Sequence, residues 1–413
     1  MILLTASLLA GVPVAAQRPD LPPEAVVARA LDDHPAVAAA RARIDSARAQ
    51  ERMLRRGDQE FVFQGTASRR SIEGEGDYAE FDANVTRPIR LPGKAAMDRE
   101  AGALGIDVAH NLMEDVRHQT ALAFSDLWHD WLIADALHRN DIATSANLRD
   151  AARAVGRRAE LRDAAALEVD QAGSALAAAE AQASASLAER EEARARLAMN
   201  FPDIPLPDQP PAMSVPSFPI DNVEELRGYV VRRSHEIEAA DREAKRLAVM
   251  ARRTRADRLP DPSVGVRLFS ERGGLERGAG LVASIPFGGG YRRAAGDQAD
   301  AQASSARLEL ERVRREVEAT ASADLSNVRT RQTVWQAMLR SADSASAAAD
   351  RTEQGYRLGA IDLADSLLAR RQANDARRQE IQARGDLLRA ITKLRVDAHD
   401  VWTSGEDVHT AAP

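Results

Sequence analysis

No cysteine occurs in the 413 residues. That excludes disulfides, thiolate metal sites and a lipid anchor on an N-terminal Cys. Aromatic residues are scarce, at 4 %, and Ala supplies much of the 44 % hydrophobic share. Few large side chains are left to fill a wide globular core, whereas small residues on long helices allow close helix–helix approach. After the N-terminus, no apolar run approaches the ~18 residues that a membrane-spanning helix needs. An excess of positive charge is missing as well: 56 Lys and Arg stand against 63 Asp and Glu. Their signs alternate along helical stretches, which describes a solvated surface and not a nucleic-acid footprint. Catalytic signatures are also lacking, with no GxSxG, P-loop or HExxH. His110, His118, His129 and His138 form no i, i+4 pair and are expected to cap or decorate helix surfaces. Trp128 and Trp131 suit packing anchors, and Gly288-Gly289-Gly290 a turn after a strand. The chain therefore reads as no enzyme, with neither metal nor cofactor.

What is present begins with an export signal. Residues 1–16 hold an apolar run and end in Val14-Ala15-Ala16 before Gln17. Small residues at −3 and −1 suit signal peptidase, so cleavage is expected after Ala16, although the usual basic n-region is missing. An exported chain without a membrane helix is periplasmic, secreted or an outer-membrane barrel.

The rest is written twice. His34-Pro35 and His235-Glu236 each open a helix, 201 residues apart. Arg87-Pro88-Ile89 and Ser284-Ile285-Pro286 each end a strand, with the prolines 198 apart. Residues 161–167 resemble residues 361–367, 200 apart. The first repeat is read over residues 17–200 and the second over 221–402. Between them, residues 201–220 carry seven prolines, a density that only an extended connector tolerates. Residues 403–413 are read as a disordered tail.

Each half reads helix, strand, strand, long helix, helix. In the first hairpin (about 60–88), Phe61, Phe63, Gly65 and Ala67 alternate with Val62, Gln64, Thr66 and Ser68. The second hairpin (about 262–287) sets Val264, Val266 and Leu268 opposite Ser263, Gly265 and Arg267. The loops are placed at 71–77 and 271–277. Such alternation also occurs in soluble hairpins, but two hairpins neither close a barrel nor survive alone in water. Oligomerisation through the strands is the economical answer. Residues 93–143 and 290–350 then make helices of ~75–90 Å. Leu104, Val108, Leu112 and Val116 recur every four residues; Leu387, Ile391, Leu394, Ala398 and Val401 form a heptad seam.

Taken in order, His34-Pro35, Arg87-Pro88-Ile89 with Gly93-Lys94, Ser284-Ile285-Pro286 with Gly288-Gly289-Gly290, and Tyr356-Arg357-Leu358-Gly359 before Asp362-Leu363 and Leu367-Leu368-Ala369 resemble the TolC-type outer-membrane efflux proteins over about residues 22–402. Within that family, Pro88 to Lys94 looks more like the branch serving heavy-metal cation exporters than the multidrug branch. The resemblance implies a mainly α fold with a small β part: a long α-helical coiled-coil barrel in the periplasm and a transmembrane β-barrel completed by a homotrimer, four strands per chain. It implies a passive channel for efflux, in the outer membrane and among its lipid, partnered by a periplasmic adaptor and an inner-membrane RND-type transporter. It further places a periplasmic gate at Tyr356, Gly359, Asp362 and Asp365, with copies of Asp365 forming an acidic ring that attracts cations. Asp362 equally suits a helix N-cap, and Asp365 an exposed helix face. Where some relatives carry a gate-locking Arg, this chain has Ile361. The competing class is a soluble periplasmic coiled-coil adaptor or scaffold, which has no use for a doubled hairpin with an outward apolar face.

Overall fold

The structure, a computed structural model, describes residues 19–217 and 223–403. The expected signal segment and nearly all of the expected tail lie outside the described residues. Helix α1 (Glu24–Asp33) ends where His34, forced extended by the proline after it, passes the chain to α2 (Pro35–Arg56). Pro35 then occupies the first helical turn, where its missing N–H has no use. In the second copy, α5 (Val223–Arg232) is followed by α6 (His235–Ala256), and there Ser234 caps instead, its Oγ accepting from the Ile237 N–H at 3.2 Å. Two different devices thus make the same boundary, 200 residues apart.

Strands β1 (Val62–Ile72) and β2 (Gly76–Pro88) follow α2; β3 (Ser263–Glu271) and β4 (Glu276–Ser284) follow α6. Each hairpin leads into a long helix, α3 (Lys94–Glu160) or α7 (Gly290–Arg357), and then α4 (Ala166–Asn200) or α8 (Leu363–Asp397). The long helices do not stop near 143 and 350 as the sequence suggested; at 67 and 68 residues each runs ~100 Å. Residues 144–160 contain no proline and are rich in Ala and Arg, so nothing breaks the helix there. The four-residue stripe also fails in part, with Leu112 45 % exposed and Met113 buried in its place. Four residues turn a helix 40° past one revolution, so a strict i+4 stripe rotates off the packed face.

The chain divides into two compact units. One comprises residues 35–116 and 234–317. Its four strands form a single antiparallel sheet in the order β1-β2-β3-β4. The turns are tighter than the sequence suggested, spanning only 73–75 and 272–275, because glycines at 74, 76, 273 and 274 take the left-handed conformation that short hairpin turns require. The unit also holds a small cluster of Val37, Ala40, Ile44 and Met113.

The other unit comprises residues up to 34, 117–233 and from 318 onward. Its core gathers Leu31 of α1, Phe124, Trp128 and Trp131 of α3, Leu197 of α4, Val396 of α8 and Trp402. Trp128 and Trp131 are the packing anchors expected, set edge to face at 5.4 Å. The heptad positions Leu387, Ile391, Leu394 and Ala398 are all at most 2 % exposed. Over residues 201–217 the connector carries neither helix nor strand, drops Phe201 and Ile204 into this core, and is held by Arg139 donating to the Pro210 carbonyl at 2.9 Å. Three of the four histidines correct the sequence reading. His129 is fully buried, its ring reaching Ser125 O at 2.7 Å; His138 meets Ser186 Oγ at 3.3 Å and His118 meets Asp397 at 3.1 Å. Between Ala-rich helices the flat imidazole fits as an interior spacer whose polar tips find partners. No cluster able to hold a metal occurs among the described residues.

Candidate functional site

Two surfaces stand out, one in each unit. The first is the sheet. Cross-strand partners share a face, so one face carries the rows Phe63–Val85–Val266–Leu281 and Gly65–Ala83–Leu268–Ala279. The other carries Gln64–Asn84–Arg267–Gly280 and Thr66–Asp82–Phe269–Gly278. On the polar face Arg267 pairs with Asp82, and Arg70 with Glu80 and Glu271, joining the two hairpins. The apolar face is bare: Leu281 is 90 % exposed and Phe63 67 %. A soluble protein rarely leaves such a face uncovered. Both β1 and β4 also keep an unpaired edge, which invites further strands.

The second surface is the α7–α8 turn, where all four sequence-predicted residues lie. Tyr356 sits in the last turn of α7, in a cluster with Val155, Ala172 and Leu363. Its hydroxyl accepts from Arg158 Nη1 at 2.6 Å and donates to Glu168 at 3.1 Å. Burial raises the tyrosine pKa, and the bond to Glu168 adds to this against the opposing charge of Arg158. The phenol therefore stays protonated and joins α7 to α3 and α4. Gly359, at φ +71°, closes α7: its N–H reaches Tyr356 O at 3.0 Å, and the Ala360 N–H reaches Gly355 O at 2.9 Å. That is the Schellman arrangement. Asp362 holds the N-cap position of α8, but its side chain makes no capping bond. Asp365 lies in the first turn of α8, and both carboxylates are exposed.

The first repeat ends α3 identically, with Arg162 N–H to Ala159 O at 2.9 Å and Asp163 N–H to Arg158 O at 2.7 Å. Here Arg162, not glycine, takes φ +61°. A Cβ in that region costs ~1 kcal/mol. Arg162→Gly is accordingly expected to raise stability by about 1 kcal/mol, and Gly359→Ala to lower it similarly, measured by thermal unfolding. Sequence reasoning missed Arg158 and Glu168. The match of residues 161–167 to 361–367 was the signal available, since it pairs this tip with the α3–α4 tip.

Along α8, the means of attachment to α3 changes. From residue 387 onward it mixes buried Leu387, Ile391 and Leu394 with the polar pairs Arg389–Asp130 and His118–Asp397. Nearer the tip it is polar: Asn374 accepts from Asn140 and Thr144 at 2.7 and 2.9 Å, and Arg378 pairs with Asp141.

Comparison with known proteins bears on both surfaces. Residues 226–396 match the family model described as outer membrane efflux protein. No curated protein sequence matches significantly. Among solved structures, the chain is similar to the outer-membrane channel OprN (21 % identity, TM-score 0.75, covering 92 % of this chain and 90 % of that one). It is similar to CusC (15 %, 0.74, 91 % and 91 %), whose structures concern transmembrane channel formation. It is also similar to the open state of the Neisseria gonorrhoeae MtrE outer membrane channel (15 %, 0.73, 92 % and 89 %). The likenesses to OprN and CusC are nearly equal in fold and thus select no branch.

Proposed function

We propose that the chain works as an outer membrane efflux protein, the family that its residues 226–396 match, and that three copies join their four-stranded sheets into one closed twelve-stranded barrel in the outer membrane. The observation that carries this is the sheet itself: two-faced, bare on the apolar side and unpaired at both edges. In lipid every backbone group needs a partner, and closure through neighbouring copies supplies them. The apolar face then meets lipid and the polar face lines an aqueous lumen. No helix among the described residues is long and apolar enough to cross a membrane, so the helical part is assigned to the periplasm. A soluble adaptor would have no reason to leave this face open.

The α7–α8 tip is the gate in this reading. Tyr356 locks α7 to the α3–α4 tip, and the polar seam at Asn374 and Arg378, whose groups water can satisfy, can part at lower cost than the seam beyond 387, where Leu387, Ile391 and Leu394 are buried. Exposed Asp365, in three copies, makes a ring of negative charge that favours cations. Efflux is passive here, with energy and selection residing in an adaptor and an RND-type inner-membrane transporter; heavy-metal cations are the cargo this ring would suit. The experiment is extraction from membranes followed by planar-bilayer recording. A detergent-stable trimer conducting with cation preference is expected, and Asp365→Asn should reduce that preference. A soluble monomer recovered without detergent would sink the channel, whereas an unchanged reversal potential in Asp365→Asn would remove only the ring.

A further inference from the structure

On the outward face of the sheet, the apolar rows end abruptly at the turn side. The row Ala67–Phe81–Ser270 ends in Arg277, and the next carries Arg69 opposite Ala79. Arg69 has a side chain 78 % exposed and touches Asp77 at 2.7 Å. Arg277 bends toward the turn, its Nε donating to Gly274 O at 3.1 Å. That is the direction a long cationic side chain takes when its stem lies on an apolar surface and its head seeks a polar layer. Along β4 and its continuation, Arg277 and exposed Phe287 are ten residues apart. That spacing is ~34 Å along a strand, or about 26 Å of depth at a tilt of ~40°, close to the ~25 Å apolar band of a membrane barrel. The arginines therefore stand at headgroup level on the turn side.

Charge sorts by face at this level. The inner face is acidic and internally paired, with Arg70 held by Glu80 and Glu271. The outward strand positions hold two arginines against the single carboxylate of Asp77. An excess of cation pointing outward at the edge of an apolar band fits an anionic headgroup. Arg69 is on β1 and Arg277 on β4, the two edges that a closed barrel joins, so each seam carries one arginine from each of two copies.

We propose that Arg69 and Arg277 form a binding site, completed between copies, for the phosphates of a lipid in the surrounding outer leaflet. This rests on the channel reading. The guanidiniums grip phosphate oxygens by charge-assisted hydrogen bonds, in competition with Asp77, and the acyl chains cover Phe81 and Leu268. The lipid thereby staples the seam.

The test uses the full chain reconstituted into phosphatidylcholine vesicles with or without a bis-phosphorylated lipid A, with retained lipid counted by native mass spectrometry after detergent extraction. The phosphorylated glycolipid should co-purify and raise the temperature at which the trimer dissociates; its dephosphorylated form should do neither. Arg69→Gln and Arg277→Gln should each weaken retention about fivefold, and together roughly 25-fold. Arg312→Gln, on α7, should change nothing. Equal retention by wild type and the double variant overturns the proposal, as does an equal effect of inorganic phosphate alone. If the double variant fails to assemble, the two lipid forms on wild type still decide. Failure of wild type to insert into any vesicle overturns the channel reading together with this inference, whereas insertion without lipid discrimination overturns this inference alone.

Discussion

Replacing Val266 by arginine is expected to abolish assembly in the outer membrane, while Thr66→Lys on the opposite face is tolerated. Val266 belongs to the row Phe63–Val85–Val266–Leu281, midway between Arg277 and Phe287 in the outward apolar band. A charge at the bilayer midplane of a barrel costs about 2–4 kcal/mol. Three symmetry-related copies make that roughly 6–12 kcal/mol per barrel if the sites are independent, which is comparable with the whole stability of a domain. Thr66 lies on the polar face directly opposite Asp82, so in the proposed barrel a lysine there meets water and a carboxylate. Its expected effect is within about 0.5 kcal/mol. Membrane fractionation with a heat-modifiable trimer on a gel checks both. Loss of assembly in Thr66→Lys with Val266→Arg tolerated would mean that the faces are assigned the wrong way round, and equal assembly of the two variants would mean that neither face meets lipid, because the two substitutions differ mainly in the side of the sheet they occupy.

This face assignment was legible from the sequence because a period of two needs no tertiary information. Phe63 and Val85, or Gln64 and Asn84, were separable before any pairing was known, and the register only aligned them. The repeat was legible for a related reason: the helix break at His34-Pro35 and the prolines of the connector are local events. What could not be read was anything depending on which helices become neighbours. Met113 and not Leu112 is buried because helical phase accumulates 40° at every fourth residue. The interior histidines were missed because an Ala-rich sequence marks no face as core. His129 looks like any polar residue until Ser125 and Thr392 are known to lie beside it.

The tip was half legible. Tyr356 and Gly359 stand out as types: a lone aromatic, and a glycine after a helix. Arg158 and Glu168, which hold the phenol, sit among many similar charges, and nothing in their spacing distinguishes them. Asp362 shows the limit of a propensity argument. It occupies the N-cap position as its residue type suggests, yet its side chain makes no cap.

Lys94 is the residue whose loss should most destabilise the chain from within. In the sequence, Gly93-Lys94 was only part of a resemblance; in the structure it is a buried cation. Its side chain is 2 % exposed, with Nζ 2.8 Å from Asp261 Oδ1, 2.9 Å from Asp257 Oδ1 and 2.8 Å from the Leu259 carbonyl. The first turn of α3 is thereby tied to the loop that leads into β3, and the second hairpin is fixed to the first repeat. Around it, Asp98 accepts from Arg90 and Arg253, and Arg253 also reaches Asp257. Lys94→Met would leave the half-buried carboxylate of Asp261 without its cation. Removing one partner from a buried pair costs ~3–5 kcal/mol. Asp257 is partly exposed, at 43 %, and water screens that half of the interaction, so about 2–4 kcal/mol is expected in thermal unfolding. Adding Asp261→Asn should restore part of the loss, because the neutral amide no longer demands a cation and its oxygen can still accept from the Leu91 N–H. The pH dependence identifies the mechanism. Burial disfavours the charge of Asp257, but hydrogen bonds from Lys94 and Arg253 outweigh it and hold its pKa below the ordinary carboxylate value. A depressed carboxylate contributes stability that is fully present above its unfolded pKa and is lost as pH falls through the folded one. The gap between wild type and Lys94→Met should accordingly be widest near neutrality and narrow in acid. A gap that stays constant down to the acid transition would point to lost packing around the lysine stem, and not to lost charge.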